Sequence, residues 1–161
     1  DFHEGQQAYL STTPSPKLTL VLNVIDDTDA RHSLDYLKSV VSGQVRVICL
    51  FTRYARLDDV MRARKYGFVY YRWDGTLENC KVIARGIVGR SWILVLHPDE
   101  KLLGSLEAAI EFLESQPAIT AEVTVRNETG IHEPRFFHVR PHGEPSSTTE
   151  YSGLEIRRSP M

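Results

Sequence analysis

The segment Ser91-Trp92-Ile93-Leu94-Val95-Leu96-His97-Pro98-Asp99-Glu100 carries a five-residue apolar run that stops at a proline. A run this short, rich in aliphatic and aromatic residues, suits a strand buried on both faces. Pro98 has no N–H to give to a ladder, so the strand ends there. Ligands of open α/β sheets collect just beyond the carboxyl ends of strands. His97, Asp99 and Glu100 stand at such an end and are residue types that bind metals. Taken by itself, the cluster reads more simply as the start of a polar loop.

Upstream of this strand, apolar runs alternate with helical stripes. Leu18 to Ile25 reads as a buried strand. The Asp26-Asp27-Thr28-Asp29 turn then offers caps to a helix bearing Leu34, Leu37, Val40 and Val41, closed by Gly43. Val45 to Phe51 is a second strand. Leu57, Val60, Met61 and Arg64 mark a second helix ending at Gly67. Phe68 to Trp73 is a third strand. Leu77, Cys80, Ile83, Ala84, Ile87 and Val88 form a third helical stripe, closed by Gly89, and Leu103, Leu106, Ile110 and Leu113 form a fourth after the Trp92–Leu96 strand. This alternation predicts a mainly parallel central sheet flanked by helices on both faces. Beyond Pro117 the pattern changes: Ile119–Val125 and Arg135–Val139 read as added β structure, residues 143–149 as a loop, and the end as a basic tail at Arg157 and Arg158. Residues 1–16, with Pro14 and Pro16, read as a flexible leader to a single domain over 17–161.

The composition limits the possible functions. With 161 residues the chain can bury one sizeable core. A formal charge of −2 argues against a nonspecific nucleic-acid binder. No apolar run is long enough for a membrane span, and the opening residues, with Asp1, His3 and Glu4, do not read as a signal peptide. Cys49 and Cys80 lie in an apolar run and a helical stripe, as reduced thiols of a cytoplasmic protein would. The chain has neither a Gly-x-Gly-x-x-Gly fingerprint nor a phosphate-binding Gly-x-x-x-x-Gly-Lys loop, so a dinucleotide enzyme and a P-loop NTPase are poorly supported. His132, His138 and His142 lack the His-Glu-x-x-His spacing of a zinc hydrolase.

Read as one unit, Trp73 to Glu100 resembles family 2 glycosyltransferases of the GT-A (Rossmann-like) fold. Their motif runs Trp-x-x-x-Phe-x-x-Ala-Arg-Asn and, ten residues later, Trp-Ile-Leu-x-Leu-Asp-x-Asp-Glu. Here Leu77 takes the Phe place, Cys80-Lys81-Val82 take the Ala-Arg-Asn places, and Trp92-Ile-Leu-Val-Leu-His-Pro-Asp-Glu follows without a gap. Leu18 to Asp27 is similar to the family's first strand, Tyr66-Gly67 to its second helix end, and Arg135-Phe136-Phe137 to its later Arg-Leu-Phe-Arg strand. The resemblance covers residues 17–140. It implies transfer of a sugar from a nucleotide-diphosphate sugar to a sugar, lipid or protein acceptor, inversion at the sugar carbon, and assistance from Mn or Mg.

The resemblance also implies roles for particular residues. Asp99 matches the metal-binding aspartate, and His97, replacing the first aspartate, is a second metal candidate. Asp26, Asp27, Arg53 and Lys81 fall where the donor binds, although helix capping is the commoner role of the two aspartates. Arg56 is a further cation after the second strand, Trp73 a core or wall residue, and Glu100 a cap for the following helix. Glu133 and Glu150, with Glu144, are the candidates for the general base that inversion requires. Three departures run together: Phe51–Arg56 lacks the family's strand-two aspartate, Lys81 replaces its arginine, and His97 replaces its first metal aspartate. They keep open the alternative of a catalytically silent domain with a binding or assembly role.

Overall fold

The structure is a computed structural model that describes residues 17–74, 76, 92–117, 120–138 and 147–158. Its elements in chain order are β1 (Leu18–Val24), α1 (Arg31–Val40), β2 (Val45–Phe51), α2 (Leu57–Lys65), β3 (Val69–Arg72), β4 (Trp92–Leu96), β5 (Glu100–Gly104), α3 (Leu106–Glu114), β6 (Thr120–Asn127), β7 (His132–His138) and β8 (Ser147–Arg158). All eight strands join one sheet in the order β3-β2-β1-β4-β7-β6-β8-β5.

This arrangement corrects the expected architecture. The described chain is mostly strand with three short helices, and the sheet is mixed and curled rather than mainly parallel and flanked by helices on both faces. β3, β2, β1 and β4 are mutually parallel, and β6 runs parallel to β8. β7 runs antiparallel to β4, β6 antiparallel to β7, and β5 antiparallel to β8. β5 follows β4 after three residues yet pairs at the far end of the strand order, so the sheet must curl back on itself.

The three helices of the described residues pack on one face. Leu34 and Leu37 of α1, Val60 and Ala63 of α2, and Ile110 and Leu113 of α3 share a core with Leu18, Leu20, Leu22 and Val24 of β1. The opposite face gathers Val21, Ile48, Leu50, Val69, Ile93, Val95 and Phe137. Alternate side chains of one strand thus feed two cores, which is why β1, β2 and β4 are buried throughout and mainly apolar, with Thr19, Asn23 and Arg46 as the buried polar residues among them. The expected leader over 1–16 and helix over 77–88 lie outside the described residues.

Two elements replace what the sequence suggested for the last third. The fourth helix was expected from Leu103, but Glu100–Gly104 is a strand and α3 begins at Leu106. The boundary has a local cause: Gly104 takes φ +125°, and Ser105 caps the helix by accepting from the Ala108 N–H at 3.2 Å. A Cβ on Gly104 would also collide with the Gly153 carbonyl of β8. Within the expected 143–149 loop, residues 147–149 belong to the twelve-residue β8, as do Arg157 and Arg158 of the expected basic tail, and β8 pairs with both β6 and β5; residues 143–146 lie outside the described residues. No helix among the described residues is long and apolar enough to cross a membrane.

Candidate functional site

Because β1 to β4 are parallel, their carboxyl ends lie along one edge, with the turns at Ile25–Asp29, Thr52–Arg56, Trp73–Asp74 and His97–Asp99. The chain moves outward from β1 to β2 and β3, then returns to β1's other side with β4. Such a reversal opens a crevice where ligands of parallel sheets bind.

A hollow of about 800 Å³ opens on this edge, lined by Ile25, Thr52, Arg53, Tyr54, Arg72, Trp73 and Asp74. Thr52 holds its walls together. The buried hydroxyl donates to the Ile25 carbonyl at 2.8 Å and accepts from the Tyr54 N–H at 3.2 Å. Arg72 Nη1 donates to the Thr52 carbonyl at 2.9 Å, tying β3's end to the same residue. Tyr54 stands out from the surface at 61% exposure. The Arg53 guanidinium lies 4.9 Å from the Tyr54 ring centroid and donates to its hydroxyl at 2.6 Å. The Trp73 indole Nε1 is buried and has no hydrogen-bond partner among the described residues. The hollow therefore offers a ring for stacking and a guanidinium for an anion, while the Trp73 indole closes its wall with the N–H turned away from solvent.

Next along the edge, the His97–Glu100 turn is tightly held. The Glu100 N–H donates to the His97 carbonyl at 3.0 Å, and the His97 N–H donates to Glu100 Oε1 at 2.9 Å. Glu100 is buried and is not the cap expected of it; its carboxylate is gripped by the Arg135 guanidinium of β7, at 2.7 Å through Nη1 and by a second, shorter bond through Nη2. Arg135 also donates to the Val95 carbonyl at 3.2 Å and to Glu133 at 2.9 Å. Burial pushes the Glu100 carboxyl up, but the Arg135 bonds and charge, with the His97 N–H, outweigh it and hold the carboxyl below its ordinary value.

His97 and Asp99 remain half-buried at the turn. Among the described residues no three His, Cys, Asp or Glu side chains gather to hold a metal ion. Mg²⁺ is usually held by one or two carboxylates together with substrate phosphates. Asp99 could supply one such carboxylate, but among the described residues no closed protein cage surrounds it.

The other expected residues separate. Arg53 lines the hollow, whereas Arg56 pairs with Asp29 at 3.3 Å. Asp26 accepts from the Thr28 N–H at 3.0 Å, and the Thr28 hydrogen bonds lower its pKa; Asp27 is exposed. The start of α1 is held instead by Asp29, which accepts from Arg31 N–H at 2.9 Å, and by the buried Asp59 of α2, which accepts from Ala30 N–H at 3.0 Å. Burial raises the Asp59 pKa. Glu133 is bound by Arg135, and Glu150 is exposed on β8, so the two base candidates lie on strands flanking β6. Lys81 and Glu144 lie outside the described residues.

Sequence reasoning missed Thr52, Tyr54, Arg72 and Arg135. A signal existed for the first three: polar and aromatic residues directly follow, or end, the apolar strands β2 and β3. Arg135 lies thirty-five residues from Glu100, with no periodicity linking them. Comparison with known proteins finds no family model that matches this chain and no matching curated protein.

Proposed function

We propose that the strand edge binds a nucleotide-diphosphate sugar and that the protein transfers the sugar to an acceptor hydroxyl with Mn or Mg assistance. The observation that carries this reading is the hollow at the carboxyl ends of β1, β2 and β3, lined by Tyr54 and by the Arg53 guanidinium that lies over its ring. The ungapped similarity of Trp73–Glu100 to glycosyltransferase sequences supports the same reading. In this scheme Tyr54 stacks on the base, Trp73 closes the wall behind it, and Arg53 answers phosphate charge. Asp99 ligates the divalent ion, with His97 as its neighbour. That ion, when bound, neutralises charge on the departing diphosphate. Buried Cys49 agrees with a reducing, cytoplasmic setting.

Titration calorimetry with uridine, guanosine, adenosine and cytidine diphosphates, with and without Mn²⁺, tests the reading. It predicts Mn²⁺-enhanced binding of one nucleotide, weakened about tenfold or more by Tyr54→Ala, given the worth of a base–aromatic stack. Absence of binding by all four at millimolar concentration refutes it. A second reading, a silent nucleotide-binding domain, is favoured by one contact: Arg135 holds the Glu133 carboxylate in an ion pair at 2.9 Å, so this candidate base is tied to the structural network of β7. Slow, metal-dependent release of nucleoside diphosphate from a donor sugar, abolished by Asp99→Asn, would favour the transferase. Tight binding without turnover would favour the silent domain.

A further inference from the structure

Two surface features have no part in the strand-edge site. The first is a groove of about 880 Å³ at the opposite, amino edge of β1 and β2, between the end of α1 and the length of α3. Its floor is apolar at Val41, Leu106 and Ile110, and its α3 wall is acidic at Glu107, Glu111 and Glu114. The second is the outer face of α2. Leu57 and Met61, one helical turn apart, are 68% and 53% exposed, and Arg64 and Lys65 follow on the next turn.

We propose that the groove of one copy receives the outer face of α2 from a second copy, so that the chain associates with itself head to tail. The two surfaces are complementary in three respects. Leu57 and Met61 present apolar bulk that the Val41–Leu106–Ile110 floor would remove from water. Arg64 and Lys65 are opposite in sign to Glu107 and Glu111. The helices match in length, at nine residues each. Other charges surround both patches: Asp58 is exposed on α2, Arg62 pairs with Asp35, and Lys17 pairs with Glu114 at 3.2 Å. A net charge of only −2 gives copies little mutual repulsion. Because the two patches differ, the contact is heterologous and builds a ring or an open chain rather than a twofold dimer. This inference is independent of the nucleotide reading.

The test is sedimentation velocity on the full chain over a range of concentration and salt, with two charge-reversed proteins. One carries Glu107→Lys with Glu111→Lys, the other Arg64→Glu with Lys65→Glu. All four positions are exposed, and circular dichroism checks that each variant folds. The wild type should gain mass with concentration and lose it as salt screens the charges. Each variant alone should associate at least tenfold more weakly, and mixing the two should restore association, because each then meets a face of opposite sign. A mixture that stays monomeric overturns the proposal, as does association unaffected by either reversal. A wild-type chain that is monomeric throughout but pellets with phosphatidylglycerol vesicles also overturns it, and assigns the α2 face to lipid.

Discussion

Replacing Arg135 with methionine should destabilise the protein more than any conservative change at the surface. The Glu100 side chain is 1% exposed and that of Arg135 13% exposed, so solvent cannot take over the charge left behind. Methionine keeps much of arginine's apolar stem but removes the guanidinium bonds to Glu100, Glu133 and the Val95 carbonyl. Removing one partner of a buried pair costs about 3–5 kcal/mol, a large part of the ~5–15 kcal/mol that a domain has in total. The pH dependence identifies the cause. In the wild type the Glu100 pKa is depressed, so its contribution is present above the unfolded carboxyl value and is lost as pH falls through the folded one. Without Arg135, burial is largely unopposed and the carboxyl moves upward, so acid favours the variant's folded state. The gap between the two proteins should be widest at neutral pH and narrow toward acid. Urea unfolding followed by circular dichroism at several pH values measures this, and adding Glu100→Gln to Arg135→Met should recover part of the loss. A loss below about 1 kcal/mol that does not change with pH would refute the argument.

Gly104→Ala should lower stability by about 1–3 kcal/mol, because it puts a side chain at positive φ against the Gly153 carbonyl; chemical denaturation reads this. Ser105→Ala removes the α3 cap and should cost about 1 kcal/mol by the same measurement. Asp59→Asn should be at least as stable as the wild type at neutral pH. The Asp59 pKa is raised by burial, so the aspartate stabilises fully only below its unfolded value and loses that contribution as pH rises through the folded value. Thermal midpoints against pH should therefore diverge toward neutrality, with the asparagine variant higher; a wild type that is higher at neutral pH refutes this. Thr52→Val keeps the shape but strips the bonds to Ile25 and Tyr54, and should cost about 1–3 kcal/mol in urea unfolding.

Strands with apolar side chains on both faces were legible because their burial makes them short apolar blocks: Val45–Phe51 and Trp92–Leu96 stand within their expected bounds. The sheet as a whole was not legible. β5 buries only Glu100 and Leu102, and its Leu102-Leu103 pair lies at helical spacing from Leu106 and Ile110, so strand and helix merge into one apparent stripe. The dividing signal is local, a glycine followed by a capping serine at 104 and 105. β8 has one exposed side and buries only Leu154 and Ile156. Its serines, threonines and charged residues therefore resemble a loop and tail. The pairings that make the sheet mixed, β4 with β7 and β5 with β8, join segments far apart in sequence and leave no periodic trace.

The adjacent acids Asp99 and Glu100 are expected from sequence to bind a metal and to cap a helix, and the fold makes Glu100 a buried structural carboxylate instead. Glu100 points into a closed network with Arg135, His97 and the end of β4, whereas Asp99 stays half-buried at the turn that this network holds. A change at Glu100 would therefore disturb the position of Asp99 and the pairing of β4 with β7 together, and a loss of ligand binding in such a variant would report folding. A change at Asp99 breaks none of the contacts that hold the turn. Asp99→Asn is thus the informative substitution at this strand end: unfolding behaviour should match the wild type while metal-dependent nucleotide binding falls. If the variant instead unfolds as readily as one altered at Glu100, Asp99 belongs to the structural network, and the strand end loses its candidate ligand.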